Sequence, residues 1–375
     1  MRIPIRLATV LVAGLVLALA PAAAAPRYVL DAQPGPAAPA GRWIYGIAGF
    51  NDAQQILTTS FPVDPGPMSV HLYTPGAGLQ PLHPDDGRLH EAWDLNERGE
   101  AAGLSDLAAY VFRAGGAGSP VPGVAPTSSY AYAINDRGMV VGHLDVAGPY
   151  WHVPGEGTHV VDLPLARAAV DVNDRDVVLV SGDAPGMPFW LHDTRDGATT
   201  RLDFDRRFGP RAWLNDAGDI AFQEVGPFGL EARVALWRDG VLTDIAGLAG
   251  ATYDRLLDLN DGGLLLGDSY FGGDDELGPR RGFLHVPGEG TFAVAALVDP
   301  ASLAGWTDLH PFKLNDAGDI AGWGVFEGRD RLFVLQAVAT PVPEPGAALL
   351  LALGVGGVAG VARAARRRQP SAAAC

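Results

Sequence analysis

The chain has 375 residues, 48% of them hydrophobic, and its 43 acidic and 27 basic residues give a formal net charge of −16. This length and hydrophobic content suffice for a sizeable core, and the negative charge disfavours binding to nucleic acids or anionic membrane surfaces. The single cysteine, Cys375, lies in the C-terminal tail, which excludes disulfides and thiol chemistry from the rest of the chain.

The N-terminal residues have the three-part layout of a secretory signal peptide. Arg2 and Arg6 precede an apolar stretch over residues 7–20, and small residues follow it. We therefore expect a signal helix and cleavage near Ala24, which makes residues 1–24 the signal peptide. A retained membrane helix is the alternative, but the apolar stretch is short for a membrane span.

Residues 25–340 repeat, with variations, a turn motif of the form Asn-Asp-x-Gly between two apolar runs. AINDRGMVVG and KLNDAGDIAG are two of its copies. Aligned on the asparagine, the copies are centred on Asn51, Asn96, Asn135, Asn173, Asn215, Asn260 and Asn315. Steps of 38 to 55 residues separate these asparagines. Most steps lie near the period of about 40–45 residues that is typical of four-stranded propeller blades.

Each copy predicts a β-hairpin turn. The asparagine at the first position is expected to bond its side chain to the backbone N–H two residues later. Glycine at the fourth position supplies the left-handed backbone that such a turn needs, and the glycines in this place are Gly99, Gly138, Gly218, Gly262 or Gly263, and Gly318. Asp176 replaces glycine in the fourth copy, and Gln54 replaces it in the first, where we expect a weaker turn.

A second hairpin, with an aromatic residue in its first strand, lies between successive turns, as in YWHVPGEGTHVVDL. After the seventh copy only RLFVLQAV remains, residues 331–338, so the last blade lacks one strand. RYVLDA, residues 27–32, is the candidate for it. The sequence therefore predicts an all-β, seven-bladed β-propeller closed by the N-terminal strand, which leaves no open sheet edge. A pair of β-sandwiches or an open β-solenoid is the alternative.

The repeats resemble the HAF family of extracellular repeats, whose pattern is A-x-x-I-N-x-x-G-x-V-V-G followed by an aromatic strand. AYAINDRGMVVG, residues 131–142, matches this pattern best, and the first and fourth copies match it loosely. The resemblance implies a secreted repeat protein and carries no catalytic residues over to this chain.

The C-terminal segment, residues 341–375, begins with a Pro-rich motif, continues with an apolar run over residues 346–362 and ends in an arginine cluster. The run is long enough for a short transmembrane helix, and the arginines mark its cytoplasmic side. The motif consists of Val342, Pro343, Glu344 and Pro345, and the cluster contains Arg366, Arg367 and Arg368.

These three parts, in this order, resemble the PEP-CTERM sorting signal of Gram-negative bacteria. The resemblance implies export through the Sec machinery, transient anchoring in the inner membrane and processing by an exosortase near the Pro-rich motif. The destination would be the cell surface or the extracellular matrix. An ordinary C-terminal membrane anchor is the alternative.

Two sets of acidic residues are candidate ligand sites. Asp94, Asp171 and Asp258 stand two residues before a repeat asparagine, but the next alternating positions lack carboxylates, which favours turns over calcium loops. Asp274, Asp275 and Glu276 lie in the longest segment between turns, where they would hold a cation or a sugar hydroxyl, or simply be solvated.

The loop LHPDDGRLH, residues 82–90, carries two histidines and two aspartates without a recognised metal-ligand spacing. The sequence therefore predicts no metal site and no cofactor. Seven of the eight tryptophans are candidate sugar platforms, although tryptophans pack more often in cores. The seven are Trp93, Trp151, Trp190, Trp213, Trp237, Trp306 and Trp323.

Catalytic motifs of the forms G-x-S-x-G, H-E-x-x-H and G-x-x-x-x-G-K do not occur. We therefore expect a non-enzymatic propeller that binds a matrix polysaccharide or protein through loops on one face. The alternative is an extracellular polysaccharide lyase or glycosidase, whose acidic groups would converge from distant strands at the central channel. Ice binding is a minor alternative, since threonine pairs occur only at Thr58-Thr59 and Thr199-Thr200.

Overall fold

The computed structural model describes residues 27–31, 35–39, 41–64, 66–84, 86–182, 186–204, 206–225, 232–272 and 279–338. All of them belong to one compact unit, Ala25–Ala339. The predicted signal peptide, sorting motif, apolar run and arginine cluster lie outside the described residues, as do Asp274, Asp275 and Glu276. Within the part of the chain that the structure covers, no helix has the length and apolar character needed to cross a membrane.

The first strand, β1 (Arg27–Leu30), is followed by six antiparallel sheets, the blades, each made of four consecutive strands. Blade 1 contains β2 (Arg42–Phe50), β3 (Ile56–Pro62), β4 (Ser69–Thr74) and β5 (Gly78–Pro81). Blade 2 contains β6 (His90–Leu95), β7 (Ala101–Ser105), β8 (Ala108–Phe112) and β9 (Ser119–Pro120). Blade 3 contains β10 (Ser129–Ile134), β11 (Val140–Leu144), β12 (Gly148–Val153) and β13 (Gly157–Val160).

The next three blades repeat this pattern. Blade 4 contains β14 (Ala166–Val172), β15 (Val177–Gly182), β16 (Phe189–Asp193) and β17 (Thr199–Leu202). Blade 5 contains β18 (Phe208–Leu214), β19 (Ile220–Val225), β20 (Ala232–Arg238) and β21 (Val241–Ile245). Blade 6 contains β22 (Tyr253–Leu259), β23 (Leu265–Tyr270), β24 (Arg280–Val286) and β25 (Gly290–Ala293).

Blade 7 combines the two ends of the described chain. Its first three strands are β26 (Trp306–Leu314), β27 (Ile320–Phe326) and β28 (Arg329–Val338). β1 is the fourth and pairs antiparallel with β28, with Leu30 opposite Leu335 and Tyr28 opposite Ala337. Tyr28 is fully buried, and its hydroxyl donates a hydrogen bond to the backbone carbonyl of Gly318 at 3.0 Å.

Helical structure in the described residues is limited to one α-helical turn, Val294–Leu297, and two short 3-10 segments, Ala114–Gly116 and Pro300–Leu303. Recurrent glycine and proline explain this scarcity, because both residues interrupt helices. The prediction of an all-β, seven-bladed propeller is confirmed.

The first strand of each blade is the innermost one. β2, β6, β10, β14, β18, β22 and β26 each contact the first strand of the next blade, and β26 contacts β2, so together they surround a central channel. The asparagine turns follow these strands and therefore all lie at one end of the channel.

Apolar side chains of neighbouring blades share the core. Met139 and Val141 of blade 3, for example, pack with Val178 and Trp190 of blade 4. Between the last and first blades, Ile56 packs in one cluster with residues of β27 and β28. Full burial of such a side chain contributes about 1.5–3 kcal/mol, so the layers between blades are the main source of stability.

Most inner strands carry a β-bulge shortly before the asparagine. In β6 the pairing register shifts between Ala92 and Asp94, and in β10 it shifts between Ala131 and Ala133. Trp93 and Tyr132 are the extra residues at these bulges. Bulges bend the strand and redirect side chains, and these two lie beside the channel.

Candidate functional site

The seven repeat asparagines, which we call the asparagine ring, form a closed circle of hydrogen bonds around the channel. Each Nδ2 donates to the backbone carbonyl of the next repeat asparagine at 2.9–3.3 Å, and Asn315 donates to Asn51 to complete the circle. Each Oδ1 accepts from the backbone N–H four residues later at 2.7–3.0 Å. All seven asparagines are buried. The position needs a short side chain that both donates and accepts, which asparagine provides.

The turn itself has the left-handed backbone expected at its fourth position. Gly138 has φ of 82°, and in the sixth copy the left-handed residue is Gly263, with φ of 76°. Gln54 and Asp176 adopt the same conformation with φ of 56° and 59°. The bond from the asparagine side chain to the N–H two residues later is present, for example, to Arg137 at 3.1 Å. The contacts to the next blade were not predicted, because they depend on the closed ring.

A second ring lies one residue beyond the asparagines. This carboxylate ring consists of Asp52, Glu97, Asp136, Asp174, Asp216, Asp261 and Asp316. Around most of it, the backbone N–H of one member donates to the carboxylate of the next at 2.7–3.0 Å. At the last step the N–H of Ala317 donates to Asp52 at 2.9 Å. Its side chains are exposed or half-buried, so the ring stands at one mouth of the channel.

The carboxylate ring holds a high density of negative charge. Partial burial and, to a smaller extent, repulsion from neighbouring carboxylates raise the pKa of Asp261 to about 6. The same causes raise the pKa of Asp316. The same two causes raise the pKa of Glu97 and of Asp174, while one backbone N–H opposes the shift in each case. The concentrated negative charge of the ring attracts cations to the mouth and repels anionic ligands.

Deeper in the channel are three further carboxylates, Asp94, Asp171 and Asp258, and one lysine, Lys313. Each carboxylate accepts a hydrogen bond from the next blade at 2.7–2.8 Å, and the donors are the backbone N–H groups of Ile134, Leu214 and Leu314. These aspartates therefore connect blade 2 to blade 3, blade 4 to blade 5 and blade 6 to blade 7. The prediction that they belong to turns rather than calcium loops missed this role, which depends on a partner some 40 residues away.

These four side chains come from blades 2, 4, 6 and 7 and interact electrostatically with one another, which places them around the shared channel. Burial raises the pKa of all three carboxyls, and repulsion from Asp94 helps to bring that of Asp171 to about 8. Burial opposes the charge on Lys313, but the attraction of the three carboxylates outweighs it and raises its pKa. Lys313 Nζ lies 3.2 Å from Asp258 Oδ1.

An aromatic group, Trp93, Tyr130 and Tyr132, lies on the inner strands of blades 2 and 3. The ring of Tyr132 is 5.5 Å from that of Trp93 and stacks on Tyr130 at 6.0 Å, with an interplanar angle of 11°. All three are half-buried, and Trp93 Nε1 donates to Glu91 at 3.1 Å. Of the tryptophans proposed as sugar platforms, Trp190 is buried in the core, whereas the other six are half-buried.

A histidine cluster consists of His83 and Asp86 in the loop between blades 1 and 2 and of His90 at the end of this loop. Each residue offers one ligand atom, and these atoms all lie within 4.8 Å of one another. His90 begins β6 and Asn96 directly follows the end of this strand. The cluster and the carboxylate ring are therefore at opposite ends of the inner strands. The sequence showed these residues in one loop but not that their side chains meet.

No protein-family profile and no curated protein matches this chain. Among solved structures, an oligogalacturonate lyase from Vibrio parahaemolyticus is 10% identical with a TM-score of 0.51, covering 82% of this chain and 91% of that one. An oligogalacturonate lyase in complex with manganese is 12% identical with a TM-score of 0.47, covering 79% and 89%. YCF48 bound to a D1 peptide is 12% identical with a TM-score of 0.47, covering 84% and 99%. At these identities the similarity shows the propeller fold alone.

The expectation that the protein is not an enzyme is corrected by the comparison, because an oligogalacturonate lyase has the same propeller fold and the fold therefore does not exclude catalysis. The expectation rested on the absence of contiguous catalytic motifs. In a propeller, polar groups converge from separate blades, as Asp94, Asp171 and Asp258 do here, so such a search has little power. The ice-binding alternative also loses one of its threonine pairs, since Thr58 and Thr59 are buried.

Proposed function

We propose that this protein is an exported seven-bladed propeller that binds extracellular polysaccharide at the cell surface or in the matrix of a Gram-negative bacterium. The targeting part of this proposal rests on the sequence of the two ends. An exosortase would process the chain near Glu344 after Sec-dependent export, with transient anchoring through residues 346–362. Mass spectrometry of the mature C-terminus tests it, and a mature protein that retains residues 346–362 would contradict it.

We also infer that β1 closes the ring. The register of β1 against β28 and the buried Tyr28 hydroxyl bond to Gly318 support this inference. Closure of this kind lets a strand from the start of the exported body hold the last blade and removes a sheet edge that would otherwise be open.

The aromatic group carries the proposal of a polysaccharide ligand. Sugar rings present apolar C–H faces, and half-exposed aromatic rings such as Trp93 and Tyr132 offer matching flat surfaces. The carboxylate of Glu91, already bonded to Trp93 Nε1, adds a hydrogen-bond acceptor for a hydroxyl. The carboxylate ring favours neutral or cationic polymers over polyanions.

Affinity electrophoresis of the full-length protein in gels that contain neutral polysaccharides tests the ligand. The Trp93→Ala and Tyr132→Ala variants should each weaken retention by about tenfold, which corresponds to about 1.4 kcal/mol. Trp237→Ala is the matched control, since Trp237 is also half-buried but lies on β20, the third strand of blade 5. Equal retention of all three variants and the wild type would contradict the assignment.

A second candidate function is cleavage of such a polymer by a lyase or glycosidase mechanism. The observation that favours it is the set of Asp94, Asp171, Asp258 and Lys313, because a carboxyl with a pKa of about 8 can donate or accept a proton near neutral pH. Reducing-end release and ultraviolet absorbance of unsaturated products would detect the two reactions. Turnover that is lost in Asp171→Asn but kept in Trp237→Ala would favour this candidate, whereas no turnover by the wild type would exclude it for the polymers tried.

A further inference from the structure

The geometry points to a zinc-type metal site, independent of the proposed function, formed by His83, Asp86 and His90. Two imidazoles and one carboxylate form the donor set of many sites for Zn²⁺ and related divalent transition metals, with at least one coordination position left for water. Ca²⁺ and Mg²⁺ prefer oxygen ligands and are poor candidates for this set.

The hydrogen bonds around the cluster leave a lone pair on each histidine. His83 Nδ1 lies 3.0 Å from the carbonyl oxygen of Pro84, which can only accept, so this nitrogen carries the proton and Nε2 has the free lone pair. His90 Nε2 lies 3.0 Å from Asp86 Oδ1 and donates to it in the same way. In the neutral ring the lone pair then lies on His90 Nδ1, which is buried with no hydrogen-bond partner among the described residues.

A bound metal ion can be coordinated by either nitrogen of His90. It can replace the proton between His90 and Asp86, or it can bind the unpartnered Nδ1 while the N–H to Asp86 remains as an orienting bond. Asp86 Oδ1 is engaged by His90 and by the backbone N–H of Arg88 at 3.0 Å. Its Oδ2 has a weaker neighbour, Arg88 Nε at 3.8 Å, and is the oxygen more available to an ion.

The packing around the cluster holds one imidazole firmly and leaves the other adjustable. His90 is 2% exposed, and its ring lies edge-on to Phe112 at 6.3 Å. His83 is half-buried and stacks on His90 with ring centroids 3.8 Å apart. Two nitrogens that share one Zn²⁺ at about 2.0–2.1 Å need rings that splay apart, so His83 is the ring that turns on binding. The Asp86 side chain is 34% exposed, which gives the ion an entry path.

Zinc binding by the full-length chain, purified without a histidine tag, tests the inference. Titration calorimetry should show one Zn²⁺ per chain that Mg²⁺ at the same concentration does not displace. Co²⁺, used as a spectroscopic substitute, should give visible absorption bands of nitrogen coordination. His83→Ala removes a ligand that is only half-buried and should weaken Zn²⁺ binding by about tenfold or more.

Two further variants distinguish this site from Zn²⁺ binding elsewhere on the chain. Asp86→Asn should also weaken binding. It changes a partly exposed side chain and is therefore less prone to misfold than a substitution of buried His90. His159→Ala is the matched control, because His159 is an exposed histidine stacked on Trp151, far along the chain from the cluster. Absence of Zn²⁺ binding in the wild type would overturn the inference, and so would binding that His83→Ala and Asp86→Asn leave unchanged, since the ion would then occupy another site.

Discussion

Replacement of one member of the asparagine ring tests the structural role on which the channel depends. Asn135 is buried, accepts from the backbone N–H of Met139 at 2.9 Å and donates to the carbonyl of Asn173 at 3.1 Å. Asn135→Ala leaves the backbone N–H of Met139 buried without a partner, whereas the carbonyl of Asn173 keeps the hydrogen bond from the N–H of Asp176. The unsatisfied N–H costs about 1–3 kcal/mol and the lost bond to the carbonyl about 0.5–1.5 kcal/mol, so we expect the free energy of unfolding to fall by about 1.5–4.5 kcal/mol. That is a large part of the ~5–15 kcal/mol that stabilises a typical domain.

Urea unfolding, followed by tryptophan fluorescence and by circular dichroism, measures this change as a lower midpoint. Arg137→Ala is the matched control in the same turn: Arg137 is exposed and pairs on the surface with Asp176, so its loss should change stability by about 0.5 kcal/mol or less. A decrease below about 0.5 kcal/mol for Asn135→Ala would refute the reasoning, because a buried donor left unpaired costs more than that.

Three further predictions address the channel, the first turn and the last blade. The pKa of Asp171 is higher in the folded than in the unfolded state, so the native state binds more protons between about pH 4 and 8. The free energy of unfolding of the wild type therefore falls as the pH rises through this range. Asp171→Asn lacks this loss, and its free energy of unfolding, measured in urea, should gain about 1–3 kcal/mol relative to the wild type over that range. Gln54→Gly removes a left-handed non-glycine residue and should raise the free energy of unfolding by about 0.5–1 kcal/mol, minus the contribution of the hydrogen bond from Gln54 to Asp319 that is lost. An unchanged midpoint would contradict this. Deletion of residues 27–30 should lower the unfolding midpoint markedly, and Tyr28→Phe should cost about 1 kcal/mol; a deletion variant as stable as the wild type would show that β1 does not close the ring.

The sequence was informative wherever the structure depends on short-range interactions. A turn of Asn-Asp-x-Gly closes within five residues, so the left-handed glycines and the substitution by Gln54 at the same position were visible from the sequence. The number of blades followed from counting these turns, because one inner hairpin belongs to each blade.

The parts of the site that the sequence did not reveal depend on residues from different blades. By its local sequence Asp94 resembles a residue of a turn or a calcium loop, yet its carboxylate bonds to Ile134, 40 residues away. Asp136 and Asp174 are ordinary turn residues by sequence, and only the closed ring brings the N–H of one to the carboxylate of the other. Short-range patterns carry no information on such contacts, which arise only when seven similar turns surround one axis.

The two ends of the channel carry different charged groups, and these groups influence which ligands can approach from each side. Seven carboxylates share one mouth, where each is bonded to a backbone N–H, and the pKa of about 6 at Asp261 shows how strongly burial and neighbouring charges act there. Towards the start of the inner strands, β22 carries Arg255, and Arg280 follows in β24 of the same blade. Both pair with Asp268 at 2.9 and 3.5 Å, so two cationic side chains share one carboxylate. A polymer with acidic groups would meet these two arginines at this end, whereas metal cations and neutral chains can also reach the carboxylate ring. Salt dependence separates the two routes, since screening at 1 M salt should weaken an approach guided by Arg255 and Arg280 and leave stacking on Trp93 and Tyr132 nearly unchanged.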